Sequence, residues 1–124
     1  MLATGTNNLF VLLVYCLAGI LVKAISGSKL ASFAPWAVFS VHMAQTIIVF
    51  FAYACNLGLL PCLAFVLPHA WLEISGFVFG CRAGSRLCRG QRPFSLIAAA
   101  TVLIIISAWV ETYITPFPFG TWLR

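Results

Sequence analysis

Two carboxylates stand out in this sequence, because Glu73 and Glu111 are its only acidic side chains and each lies inside or at the edge of a run apolar enough to cross a bilayer. Even lenient insertion scales charge roughly 2.5 kcal/mol or more for such a group in hydrocarbon, so it is expected to face protein, a partner or water. His69 lies four residues before Glu73, close enough on one helical face for the two side chains to meet. His69, Glu73 and Glu111 are therefore the candidates for chemistry. The pair can act as a proton relay, an ion site or a polar contact that aligns helices; the plainer reading is a satisfied structural pair inside a bundle. The set lacks the spacing of a metal motif such as HExxH, and no metal or other cofactor is expected. No glycine-rich phosphate loop, GxSxG turn or spaced Ser, His and acid set is present, so an enzyme is not expected.

The elements that must hold these residues are membrane spans. Of the 124 residues, 63% are hydrophobic and 7% charged, and the mean hydropathy is +1.08. That composition excludes a disordered chain and a soluble core, and the length accommodates four helical crossings. The expected fold is all-α, a four-helix transmembrane bundle in one domain, with spans near residues 9–25, 36–56, 58–81 and 94–114. The first run is read as a retained span: residues 1–8 carry no Lys or Arg, and Ile25, Ser26 and Gly27 make a poor cleavage site. Pro35 and Trp36 suit the start of the second span, which carries His42 and Gln45 one turn apart. Prolines 116 and 118 close the fourth.

Pro68 breaks the third apolar segment, and two geometries follow. In a single kinked span entered at Gly58, His69 and Glu73 lie about 17 and 23 Å along the helix, and Glu111 sits near the opposite level, far from Glu73. If residues 58–67 instead form a re-entrant element, Glu73 rises toward Glu111 and a carboxylate pair becomes available. The kinked span is simpler and is the expectation.

Gly76, Gly80 and Gly84 recur every fourth residue, a small-residue stripe that lets helix backbones approach, either within the chain or between copies. The net charge of +5 gathers in two loops. Lys23 borders one, residues 24–35, and Lys29 lies in it. Arg82, Arg86, Arg89 and Arg92 fill the other, residues 82–93, and Arg124 lies alone on the opposite side. By the positive-inside rule both loops are cytoplasmic and both termini outside; the charge reports topology rather than nucleic-acid binding. Anionic lipid or an acidic partner surface is the other use of the arginines. The five cysteines form no CxxC; a disulfide between Cys55 and Cys62 is conceivable by position only.

The stretch from Pro68 through Leu87, followed by that from Leu103 to Phe119, resembles the stage II sporulation protein M family, in a short form. That family carries a Pro-His-Gly-x-x-Glu-Leu element, a small-residue helix with a basic end, and a late Ile-Glu-x-x-x-Thr-Pro. By position the resemblance selects Pro68, His69, Glu73, Gly80, Arg82, Glu111, Thr115 and Pro116, departing at Ala70 and Ile74, where glycine and leucine are usual. It implies a multi-span membrane scaffold. The expected role is thus a small scaffold or accessory subunit whose partners are membrane lipids, other membrane subunits or further copies of itself. The alternative is a transporter or channel component using His69, Glu73 and Glu111 as an ion or proton path.

Overall fold

Apolar runs of this length satisfy their backbone groups in hydrocarbon by coiling into helices, and helices account for nearly all of the described residues. In the computed structural model the described residues are 2–27 and 29–114. Four helices follow one another: α1 (Leu2–Ser26), α2 (Ala34–Leu57), α3 (Leu59–Cys88) and α4 (Phe94–Tyr113), with a short 3-10 turn, Lys29–Phe33, leading into α2. All four are long and apolar enough to cross a membrane. Thr115, Pro116, Pro118 and Arg124 lie outside the described residues.

Local chemistry sets the boundaries. Gly27 takes a left-handed φ of 61° after α1, and its N–H closes on the Lys23 carbonyl. Pro35 sits in the first turn of α2, where a missing N–H costs nothing. Gly58, with φ 90°, separates α2 from α3 in a single residue. Such a tight connection folds α3 back along α2.

Two sequence expectations need correction. First, α3 does not stop at residue 81 but runs to Cys88, so Arg82 and Arg86 project from its last turns and only Arg89 and Arg92 belong to the loop. All four are exposed. Second, Pro68 does not break the helix: α3 runs through it without interruption, which is the single span expected in preference to a re-entrant element at residues 58–67. Proline removes one helical N–H from the ladder, a loss that transmembrane helices tolerate when neighbours bond the freed backbone groups.

The core forms where α1, α3 and α4 meet. Leu12, Cys16, Ala83 and Ala100 make one cluster; Tyr15, Phe77, Cys81 and Ile104 make the other. The glycine stripe of α3 is spent here, inside the chain. A methyl group on Gly76 would meet Ile104 Cδ1 at 3.0 Å and the Ala100 carbonyl oxygen at 3.2 Å; on Gly80 it would strike Leu12, and on Gly84 the Tyr15 carbonyl oxygen. Gly76 thus admits α4, while Gly80 and Gly84 admit α1. Gly19 of α1 completes the contact, with its missing Cβ 3.3 Å from the Gly84 carbonyl oxygen.

Cross-helix bonds tie the end that carries both basic loops. Lys23 Nζ donates to the Cys88 carbonyl at 2.7 Å, Ser85 Oγ to the Ser32 carbonyl at 2.6 Å, and Cys88 Sγ to the Gly19 carbonyl at 3.5 Å. The two loops therefore lie side by side at one end of the bundle. The helix α2 is the outlier, with Pro35 its one buried residue.

Candidate functional site

Three helices contribute to one polar cluster. From α1 comes Asn8, from α3 His69 and Glu73, and from α4 Ser107 and Glu111. Asn8, His69 and Ser107 are buried, Ser107 completely. Asn8 Nδ2 donates to Glu73 Oε1 at 2.5 Å, and Ser107 Oγ donates to the His69 backbone carbonyl at 3.1 Å. Ser107 also lies within hydrogen-bond reach of the Glu73 carboxyl. Phe65 packs one turn from His69, ring centroids 6.0 Å apart and planes at 83°.

Glu111 joins this cluster, contrary to the expectation that the two acids lie far apart. It interacts electrostatically with His69, attractively, and with Glu73, repulsively when both are charged. Its Oε2 is buried and accepts no hydrogen bond from any described residue. The physical reason is helix length. At 1.5 Å per residue the 30 residues of α3 span about 45 Å and the 20 of α4 about 30 Å. Facing positions pair His69 with Ser107 and Gly76 with Ala100, so the first turns of α3 overhang the end of α4. A depth counted from Gly58 overstated the separation by that overhang. One unbroken helix thus still leaves the two acids close enough to interact electrostatically.

The clasp accordingly works between helices. The Asn8–Glu73 bond runs from α1 to α3 and the Ser107–His69 bond from α4 to α3, rather than along α3 between His69 and Glu73. Among the described residues no three or more His, Cys, Asp or Glu side chains are grouped to hold a metal ion. The chemistry open to the cluster is hydrogen bonding, proton exchange between carboxyls and imidazole, and contact with a small cation through oxygens.

A second polar contact was missed in the sequence. Tyr15, fully buried on α1, bonds through its hydroxyl to His42 Nδ1 on α2 and meets the rings of Phe39 and Phe77 edge-on. The signal was available: tyrosine favours the ends of membrane spans, so one in mid-helix needs an internal partner. Asn8 was overlooked because it falls before the apolar run taken as the first span. All five cysteines are free thiols, Cys55 exposed and Cys62 buried, so the conceivable disulfide between them is not formed.

Compared with protein-family models, curated proteins and solved structures, the chain matched none.

Proposed function

We propose that this chain is a small multi-pass membrane protein acting as a scaffold or accessory subunit of a larger membrane complex. The observation that supports it best is the use of the polar side chains: Asn8 of α1 bonds Glu73 of α3, and Ser107 of α4 bonds the His69 backbone carbonyl of α3, so three helices are tied together, which is what a rigid framework needs. Polar groups spent in this way hold helices in register rather than wait for a passing ion. The resemblance of the Pro68 to Phe119 region to the stage II sporulation protein M family points the same way. In this reading the loop carrying Arg89 and Arg92 faces the cytoplasm, as do Lys23 in the last turn of α1 and the exposed Arg82 and Arg86 at the end of α3.

One observation favours a second reading. The buried Oε2 of Glu111, beside His69 and Glu73, accepts no bond from any described residue. A carboxylate oxygen held dry and unpaired is a group that a proton or small cation would satisfy. That reading makes the cluster part of a transporter or channel.

Purification of the tagged chain from its own membrane in mild detergent, with native mass and identification of co-purifying proteins, tests the choice. Foreign subunits in fixed stoichiometry support the scaffold. A homo-oligomer whose proton or cation flux is lost in Glu111→Gln, with assembly intact, supports the second reading and sinks the first.

A further inference from the structure

The helix α2 carries a feature that neither the polar cluster nor the glycine stripe uses. Val41, Gln45, Ile48, Ala52 and Cys55 follow one another at alternating spacings of four and three, the seam of a heptad repeat. They lie on a face turned from the bundle: Val41 is 60% and Ile48 68% exposed, and Gln45, Ala52 and Cys55 are exposed too. Gln45 is the twelfth of the 24 residues of α2, at mid-helix. Its amide makes no hydrogen bond to any described residue. Beside it a groove of about 360 Å³ opens between Gln45 and the ring of His42, whose Nδ1 is held by Tyr15.

We propose that this face is the interface for a second copy of the chain, joined α2 to α2 in parallel through a reciprocal pair of Gln45 amides. An apolar seam in lipid gains little from burial alone, so a bare stripe of Val and Ile would mean only lipid contact. The amide changes that balance. At mid-bilayer it is beyond reach of water, and its two donors and one acceptor oxygen are costly to leave unmet. A primary amide complements itself. Two copies insert in the same orientation, so a twofold axis along the membrane normal brings both Gln45 side chains to one depth without any further adjustment. A foreign helix would need its own polar group at that same level. A single polar residue at a core seam position is also the device that fixes register in paired helices. Ala52, one turn beyond Ile48, keeps the seam narrow toward the Cys55 end.

The inference rests on the multi-pass membrane reading but not on the scaffold role, and Cys55 supplies its test as the one exposed thiol of the five. Membranes holding the full chain are extracted with carbonate first; loss of the chain to the supernatant would refute membrane insertion itself. Oxidation with copper-phenanthroline should then give a species of twice the 13.5 kDa chain mass, absent in Cys55→Ser. In the Cys55→Ser background, Ile48→Cys and Ala52→Cys should restore it, whereas Ile47→Cys, about 120° round α2 from the centre of the seam, should not. Gln45→Leu should lower the cross-linked fraction roughly three- to tenfold at low protein-to-lipid ratio, and Gln45→Asn should lower it less. Because Gln45 touches no described polar partner within the chain, Gln45→Leu leaves the monomer's bonds in place. Absence of a Cys55 cross-link, equal cross-linking through Ile47→Cys, indifference to Gln45→Leu, or a cross-link only to a different protein would each overturn the proposal.

Discussion

The hydroxyl of Ser107 bonds the backbone carbonyl of His69 at 3.1 Å, and this contact fixes how far α4 slides along α3. One turn beyond Ser107 is Glu111; one turn beyond His69, in the other direction, is Glu73. The register that pairs Ser107 with His69 therefore brings both acids of the chain to one polar cluster. A slip of one helical turn that set Leu103 against His69 would carry Glu111 away from Glu73.

Ser107→Ala should consequently loosen the α3/α4 pairing while leaving the helices formed. The expected loss is about 0.6 kcal/mol, the usual worth of an interhelical bond in a membrane. Reversible unfolding of the chain in bicelles would measure it, and an unchanged midpoint would show that the apolar contacts of Gly76 and Ile104 set the register alone.

Removing the Glu73 carboxyl strands the Asn8 amide. Glu73→Ala should destabilise the bundle by about 1–3 kcal/mol, whereas Glu73→Gln, which still offers an oxygen to Asn8, should cost less. A double-mutant cycle with Asn8→Ala isolates the pair: the double variant should be less destabilised than the sum of the singles. Strict additivity would mean that the bond contributes nothing.

The glycines of α3 differ in what they tolerate. At Gly84 an added methyl meets the backbone oxygen of Tyr15, which cannot turn aside, and the Pro35 ring at 2.9 Å. At Gly80 it meets the far end of the Leu12 side chain, which can rotate. Gly84→Ala should cost about 1–3 kcal/mol by forcing α1 away, and Gly80→Ala less. Thermal stability of the two variants in one detergent ranks them; the reverse order would contradict this packing of α1 on α3.

Both basic loops share one end of the bundle, so a reagent that cannot cross the membrane should reach both from the same side. Gly27→Cys and Gln91→Cys, in a background lacking the native thiols, should be labelled together in inverted vesicles and protected together in intact cells. Labelling of one without the other would break the four-span topology, and labelling of both in intact cells would reverse its orientation.

The sequence by itself determined the class and the inventory. Apolar runs of 17 residues or more, punctuated by Gly27, Gly58, Pro35 and the arginine-rich turn, point to four helices long enough to cross a membrane, and the helices lie close to where the runs do. Rarity alone singled out Glu73 and Glu111, and the spacing of His69 marked it as their companion. What the sequence did not determine was sliding and rotation. Periodicity places residues on a helix face but says nothing of where one helix stands against another, and that offset is set by side chains meeting across the interface. Only the packed bundle decided that Gly76, Gly80 and Gly84 serve α4 and α1 within the chain, that Asn8 completes the acid cluster, and that Tyr15 holds His42. The same packing left the Gln45 face of α2 uncovered, because α3 and α1 touch α2 on its other side.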